Sequence, residues 1–284
     1  MSRIPLRYGY TLGSKLGKGS FGEVYNCTDA AGNEFAAKLE PRVVKGKRRR
    51  GPSQLQYEYR VYQHLHGGSG IPRIWAFFTE GDYNIMIMDK LGKSIQDVVE
   101  ERGGKLPMRV VLAIGARMIR HLRLIHSHGM VHRDLKPQNM MLADKKSSEV
   151  FLIDFGLSKK YLKRDGSHIP FNEDKGGLTG TPRYASLASH LGVEQGRKDD
   201  LESLMYILIF LKNGRLPWQG TRGEKAERYG QIMKMKKRIS DDELAAGWPP
   251  KFKRFCFMIR NMTFEQQPDY DVLLRLLVDC HDDL

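Results

Sequence analysis

The 284-residue sequence has few cysteines and no long hydrophobic run. Its three cysteines, Cys27, Cys256 and Cys280, are far apart and form no CxxC pair, which argues against a disulfide framework and favours a reducing compartment. We therefore expect the cytosol or the nucleus. The strongest apolar run, residues 204–211, is much shorter than the roughly 20 residues that span a bilayer. No apolar stretch follows the first five residues, so we expect no secretory signal.

Positive charge, by contrast, is abundant. The net charge is +14, which leaves nucleic acids, anionic membranes and acidic or phosphorylated proteins open as partners. Six of the nine residues from 42 to 50 are basic. This run could be a solvated loop, or a patch for nuclear import or anion docking.

Hydrophobic periodicity predicts an α+β protein with two lobes. Alternating apolar residues predict strands over 10–18, 21–28, 34–39, 73–79 and 83–88, and one helix over 53–66 interrupts them. Helical patterns then cover 107–128, 199–211, 223–235, 250–261 and 270–279. The inward face of the first of these is predicted to carry Val110, Val111, Ile114, Met118, Leu122 and Ile125. We expect a β-rich N-terminal lobe (about 1–90), a hinge at 89–92 and a helical C-terminal lobe (about 93–284), with a ligand cleft between the lobes.

The most informative motif is the run His132-Arg133-Asp134-Leu135-Lys136-Pro137-Gln138-Asn139, which Asp154-Phe155-Gly156 follows. It supplies an acid, a lysine, an amide and a second acid in fixed order. Phosphoryl transfer needs such a set: a carboxylate that accepts a hydroxyl proton, a cation beside the phosphoryl group, and oxygen ligands for Mg²⁺.

A glycine-rich run, Gly17-x-Gly19-x-x-Gly22-x-Val24, joins two predicted strands. It could be an ordinary tight hairpin, or a flap that approaches phosphates closely because glycine has no Cβ. Lys38 lies on the next strand, where it could extend to water or could bind phosphates. A buried lysine needs a carboxylate partner, and Glu58 is the acid that the following helix offers.

Three histidines near the start of this motif suggest a zinc site as an alternative. His126, His128 and His132 lie within seven residues. No cysteine lies near them, and the one nearby acid, Asp134, is already the candidate proton acceptor for phosphoryl transfer. We interpret His132 instead as a residue that fixes the turn before Asp134.

Together these motifs resemble those of eukaryotic protein kinases over nearly the whole of residues 10–280. The resemblance implies one kinase domain over 1–284 that uses ATP and Mg²⁺. It implies that Asp134 is the catalytic base, Lys136 the phosphate-stabilising lysine of serine/threonine kinases, and Lys38–Glu58 the strand–helix ion pair. Asn139 and Asp154 are implied as the metal ligands. The implied nucleotide contacts are Leu16, Gly17, Gly19, Gly22, Val24, Ala36, Lys38, Met88, Asp89, Leu91, Asn139, Leu142 and Asp154.

Within the kinases, the chain resembles the casein kinase 1 family. The residues that carry this resemblance are the segment from Leu178 to Ser186 with the sequence LTGTPRYAS, the absence of an Ala-Pro-Glu triplet after it, and the later motifs DDLESL and LPWQG. The hinge departs from the family by having Lys90 where an apolar residue is common, and the stretch between Lys38 and Glu58 is unusually long. Some members of the family carry an extended regulatory tail after the last helix.

The family resemblance also implies a substrate preference. Family members favour serine or threonine that follows acidic or phosphorylated residues, and Arg183 and Arg228 near Gly220 match the anion-binding positions. Surface salt bridges are the alternative role of both arginines. We expect acidic or primed phosphoprotein substrates, no specific nucleic acid, no membrane span, a monomer, and activity without activation-loop phosphorylation. A pseudokinase scaffold for acidic partners and a small-molecule kinase are the rival hypotheses.

Overall fold

A computed structural model describes residues 4–19, 22–44, 47–48, 51–144 and 147–284. The chain forms two compact units. The first contains residues 1–92 and 141–156, and the second contains residues 93–140 and 157–284. Parts of the basic run at 42–50, and positions 20–21 of the glycine-rich run, lie outside the described residues.

The strands are short and fall mostly in the first third of the chain. They are β1 (Ile4–Pro5), β2 (Thr11–Lys18), β3 (Glu23–Thr28), β4 (Glu34–Pro41), β5 (Val43–Val44), β6 (Lys47–Arg48), β7 (Ile74–Glu80), β8 (Tyr83–Asp89), β9 (Met130–Val131), β10 (Met140–Leu142), β11 (Val150–Leu152) and β12 (Lys159–Lys160). The helices are α1 (Gln54–His64), α2 (Ile95–Glu101), α3 (Met108–Ser127), α4 (Leu187–Leu191), α5 (Arg197–Asn213), α6 (Lys225–Arg238), α7 (Asp241–Leu244), α8 (Pro250–Arg260) and α9 (Tyr270–Asp282).

An antiparallel sheet with the strand order β1-β2-β3-β4-β8-β7 dominates the first unit. Side chains alternate across it, so each strand has two different faces. One face is an apolar core. Its buried members are Leu12, Cys27, Phe35, Ala37, Leu39, Phe78, Ile85 and Ile87. The opposite face of β4 carries Ala36, Lys38 and Glu40, so the same strand serves the core and the candidate site.

Helix α5 is the centre of the second unit. The residues from Asp199 to Leu211 are all buried, as expected for a helix that is apolar almost all round. Helix α3 packs against α5 and α9 through one apolar stripe. Among the described residues, no helix is long and apolar enough to cross a membrane.

The structure confirms the α+β class and corrects some details. The five predicted strands are present as β2, β3, β4, β7 and β8, with bounds that differ by one or two residues. Val110 was predicted to face inward, which is wrong: it is 43% exposed, whereas Val111 is buried. Successive helix residues are about 100° apart, so both cannot point into one narrow stripe. The short elements α2, α4 and α7 were not predicted.

Candidate active site

The glycine-rich turn joins β2 to β3 in antiparallel register, with Gly17 opposite Val24. The Gly19 N–H donates to the Gly22 carbonyl at 2.8 Å, which closes the turn. A Cβ on Gly22 would lie 2.0 Å from the Leu39 carbonyl oxygen, so only glycine fits against β4 here. Gly17 and Gly19 have open space around them. Their missing side chains therefore leave backbone accessible, as a phosphate-binding turn requires.

The face of the sheet below this turn gathers several predicted nucleotide contacts. Val24 is opposite Lys38 in the β3–β4 pair, and Ala36 is opposite Met88 in the β4–β8 pair. Small and apolar side chains thus lie beside one cation. Such a surface can bind a flat heterocycle and its phosphates.

Lys38 forms an ion pair with two carboxylates in the first unit. Its Nζ lies 2.7 Å from Glu58 Oε2 on α1 and 3.1 Å from Asp154 Oδ1. Burial lowers the pKa of Lys38, but the two carboxylates outweigh burial and raise it above its usual value. Lys38 is therefore a permanent cation, as phosphate binding requires.

Glu40 anchors the helix that carries Glu58. The Glu40 side chain is buried and accepts hydrogen bonds from the Ser53 hydroxyl, the Gln54 N–H at 2.9 Å and the Asn84 amide at 3.0 Å. Burial raises the pKa of Glu40, yet these donors lower it overall, so the carboxylate stays ionised. A negative charge at the first turn stabilises a helix by satisfying its free N–H groups. Glu40 thereby ties α1 to β4 two residues after Lys38.

The same helix also contacts the Asp154-Phe155-Gly156 segment, through Tyr62 near its end and Gln54 at its start. The Asp154 N–H donates to the Tyr62 hydroxyl oxygen at 3.2 Å, and the Tyr62 and Phe155 rings meet edge to face at 5.0 Å. The Gln54 amide donates to the Gly156 carbonyl. Asp154 has a positive φ of 66°, a conformation that Asp tolerates better than most residues. Helix α1 therefore fixes where the Asp154 carboxylate lies.

At the predicted hinge, side chains stabilise the backbone. The Asp89 carboxylate accepts from the Arg73 N–H and the Trp75 indole, each at 2.8 Å. Lys90, at a position where the family that the sequence resembles commonly has an apolar residue, pairs with Glu34 at 3.0 Å. The predicted contacts Leu91, Leu142 and Leu16 also lie in the first unit, and Leu16 is 51% exposed.

In the second unit, the Asp134 carboxylate lies between two donors. Lys136 Nζ is 2.6 Å from Oδ2, and the Thr181 hydroxyl donates to Oδ1 at 2.8 Å. Gly180 has a φ of +85°, and a Cβ there would lie 2.5 Å from the Arg133 carbonyl oxygen. Glycine at position 180 therefore lets this segment approach Asp134.

Asp200, near the start of α5, holds the backbone that presents Asp134. It accepts from the N–H groups of His132 and Arg133 at 2.8 and 2.9 Å and contacts His126 Nε2 at 2.9 Å. The His132 Nδ1 in turn accepts from the Asp134 N–H at 3.2 Å. Two of the three histidines that suggested zinc thus belong to a network that fixes the turn. Within the described part of the chain, no His, Cys, Asp and Glu cluster has metal-site geometry.

Asn139 and Asp154 offer the oxygen ligands that Mg²⁺ prefers. The Asn139 Nδ2 donates to the Asp134 carbonyl at 3.0 Å, which directs its amide oxygen away from that bond. Asn139 is only 4% exposed, so its side chain is held firmly. Each side chain, one an amide and the other a carboxylate, is of a type that binds a hard divalent cation.

The two arginines predicted to bind anions have different surroundings. Arg183 is half-buried, with its guanidinium carbon 5.7 Å from each of the Tyr184 and Phe210 ring centres. Arg228 is exposed in the first turns of α6, and Gly220 is exposed with a φ of +90°. Among the described residues, neither arginine has a salt bridge within 4.0 Å. Their joint binding of one anion stays a prediction.

A further charged cluster organises the segment after Gly156. Glu194 is 4% exposed, and its carboxylate lies 2.7 Å from Lys159 Nζ and 3.1 Å from Lys175 Nζ. The Lys175 N–H donates to the Gly192 carbonyl at 2.7 Å. A carboxylate of the chain itself therefore holds this segment in place.

Comparison with known families agrees with this geometry. The family model "Protein kinase domain" matches residues 10–270. The chain therefore belongs to the protein kinase family and is a phosphotransferase that uses ATP and acts on protein substrates.

Sequence reasoning missed several residues of the site. Thr181 lies inside a quoted motif but was not assigned to Asp134, and Tyr62, inside the helix predicted over 53–66, was given no role in the site. Glu40 could have been found, since alternation along β4 places it on the Lys38 face. The Glu194 cluster had no sequence signal because its members are far apart in the chain.

Proposed function

We propose that this chain is a serine/threonine kinase of casein kinase 1 type, which uses Mg²⁺ and ATP to phosphorylate residues downstream of acidic or phosphorylated ones. The observation that carries the serine/threonine assignment is the Asp134 carboxylate with Lys136 at 2.6 Å and Thr181 at 2.8 Å. A lysine so close to the base can stabilise a transferred phosphoryl group.

The roles of the residues follow from their chemistry. Asp134 accepts the proton of the substrate hydroxyl as the hydroxyl oxygen bonds to phosphorus. Lys136 and Lys38 offset negative charge on the phosphoryl oxygens, and Glu58 keeps Lys38 in place. Asn139 and Asp154 would bind Mg²⁺. When bound, Mg²⁺ and ATP supply the γ-phosphoryl group and neutralise charge as the bond to ADP breaks.

The charged cluster around Glu194 supports activity without phosphorylation of the activation segment. Lys159 and Lys175 already have a carboxylate between them, so no added phosphate is required to hold them. Phosphatase-treated enzyme should keep its activity. Complete loss after phosphatase treatment would contradict this part of the proposal.

The acceptor assignment is tested with peptides that differ only in serine, threonine or tyrosine at the acceptor position. Turnover on serine and threonine, and little on tyrosine, is expected. Asp154→Asn should abolish turnover, whereas Asp82→Asn, on an exposed turn, should not. Undiminished activity of Asp154→Asn would refute its role with Mg²⁺.

The substrate preference is tested at Arg183 and Arg228. A peptide with phosphoserine three residues before the acceptor is compared with one that has aspartate there. Replacement of both arginines by alanine should reduce turnover of the phosphorylated peptide more, because planar guanidinium groups bind phosphate in a bidentate manner. Arg164→Ala, at an exposed position, is the control. Equal losses on both peptides would contradict the anion pocket.

We also propose that the chain acts as a monomer in the cytosol or the nucleus. The cysteines support the location: each of the three is a buried free thiol, as is usual in a reducing compartment. Light scattering of the purified chain and fluorescence imaging of a tagged chain would test the two parts separately.

A further inference from the structure

One lysine of α6 lies inside the second unit. Lys236 is 1% exposed, whereas its neighbours Lys234 and Lys237 are exposed. Its Nζ donates to the Ala185 carbonyl at 2.5 Å and to the Pro182 carbonyl at 3.0 Å. The rings of Tyr206 and Trp218 lie 4.8 and 4.9 Å away. The ammonium group therefore contacts backbone carbonyls and aromatic faces.

These carbonyls belong to the segment that touches the catalytic base. Thr181, next to Pro182, donates to Asp134 at 2.8 Å. The Trp218 indole donates to the Arg183 carbonyl at 2.8 Å, so a second buried side chain holds the same segment. His190 Nε2 also lies 3.0 Å from the Pro182 carbonyl and 3.2 Å from Lys236 Nζ. Residues 182–185 are thus held from within the unit on one side and joined to Asp134 through Thr181.

A buried lysine at this position is expected to lower the stability of the fold. Within the described residues, no carboxylate lies within 4.0 Å of Lys236 Nζ, and the nearby Glu202 accepts from the Leu187 N–H and the Tyr206 hydroxyl instead. Burial lowers the pKa of Lys236 to about 7. Burying an ammonium group without a carboxylate partner costs free energy, and an apolar side chain of similar size would avoid this cost. The gain from lysine must therefore lie in the position of the backbone that it holds.

We propose that Lys236 is a positioning residue for the protein substrate, which fixes the 182–185 backbone, and with it Thr181 and Arg183, relative to Asp134. The inference rests on the proposed function, because it concerns how the protein substrate of that reaction is held. We assign Lys236 no catalytic role, because its amine contacts backbone carbonyls, His190 and two buried rings.

The experiment compares Lys236→Met, which keeps the length and loses the donors, with Lys236→Arg, which keeps donors. Lys237→Met on the exposed face of α6 is the matched control. Initial rates are measured with ATP and the phosphoserine peptide each varied. Lys236→Met should raise the KM for the peptide about tenfold, the effect of losing one or two net hydrogen bonds, and leave the KM for ATP within about twofold. Lys236→Arg should recover part of the loss.

Hydrogen exchange gives a second readout that does not depend on activity. The Tyr184 and Ala185 N–H groups both donate to the Thr181 carbonyl, at 3.0 and 2.9 Å. Exchange of these amides should be faster in Lys236→Met than in wild type or Lys237→Met, while amides in the core of α5 stay protected.

The outcomes separate the inference from the proposed function. If wild type phosphorylates none of the peptides, the proposed function fails, and the exchange result alone decides the inference. If wild type is active but Lys236→Met has an unchanged KM for the peptide and unchanged exchange, the inference is wrong. Equal rises in both KM values, together with a lower melting temperature, would show a merely structural role and would also overturn it.

Discussion

Lys38 and Lys236 are both largely buried, but their ammonium groups have different partners. The Lys38 side chain is 12% exposed and lies within 3.1 Å of both Glu58 and Asp154. Lys236 is 1% exposed and contacts the carbonyl oxygens of Pro182 and Ala185. The pKa of Lys38 is raised by its carboxylates, whereas burial lowers the pKa of Lys236 to about 7.

The comparison shows that the partners of a buried lysine, more than its burial, determine its charge state and the groups it can bind. Phosphate binding requires a charge at every physiological pH, and two carboxylates provide for that at Lys38. Holding carbonyl groups requires only N–H donors, and a neutral amine still has two. Lys236 can therefore donate hydrogen bonds to these carbonyl groups whether it is charged or neutral.

The largest effect is expected from Lys38→Met. Turnover should fall about 10²- to 10³-fold, because a preorganised cation is lost from the phosphoryl group. Steady-state phosphorylation of one peptide measures this. Lys93→Met, which removes an exposed lysine paired with Glu101, is the control and should have little effect. A variant Lys38→Met with near-normal turnover would remove the distinction between the two lysines.

Glu58→Gln tests the stability side of the comparison. It leaves Lys38 with Asp154 alone, and the free energy of unfolding should fall by about 3 kcal/mol, as for other broken buried pairs. Lys236→Met leaves no buried carboxylate without its partner, so its change at pH 7 should stay within about 1 kcal/mol. Urea unfolding of both variants decides the question, and equal losses would contradict it.

Glu40→Ala should detach the start of α1 from β4. The N–H groups of Gln54 and Leu55 lose their acceptor, so we expect the free energy of unfolding to fall by about 2 kcal/mol. Turnover should also be slower, because α1 then holds Glu58 less firmly beside Lys38. Glu40→Gln keeps one acceptor oxygen and should lose less. The same urea and kinetic measurements apply, and a larger loss in Glu40→Gln than in Glu40→Ala would be inconsistent with the account.

The smallest effect, taken per pH unit, is on how stability changes with pH. The Lys236 pKa is about 7 in the folded chain and about 10.5 in the unfolded one, so the unfolded state binds the extra proton between these values. The stability of wild type relative to Lys236→Met should therefore rise from pH 7 to pH 9, by up to about 1 kcal/mol per unit. Burial and the charge of Lys236 lower the pKa of His190 to about 4, so His190 stays neutral over this range. A relative stability that falls over this range would contradict the assignment.

Sequence alone predicted the parts of the fold that follow a local pattern. Alternation located the strands, and Glu58 was identified as the partner of Lys38 because no other acid lies in its predicted helix. The motif around Asp134 could be assigned to phosphoryl transfer because its order and spacing are specific. These inferences needed no knowledge of tertiary packing.

Other features depend on packing that no local pattern records. Lys236 lies among Lys234, Lys237 and Arg238, and a run of basic residues indicates a solvated helix face. Only the position of α6 decides which of them is buried. Val110 and Val111 are equally apolar, and the neighbours of α3 determine that only Val111 faces the core.

The central claim is that Lys38 serves the phosphoryl group and Lys236 serves the protein substrate. The most direct test is one set of initial rates for wild type, Lys38→Met and Lys236→Met on the same phosphoserine peptide. The account predicts a fall in kcat with a nearly unchanged KM for the peptide in Lys38→Met, and a raised KM for the peptide with a nearly unchanged kcat in Lys236→Met. Loss of the same kinetic parameter in both variants would contradict it.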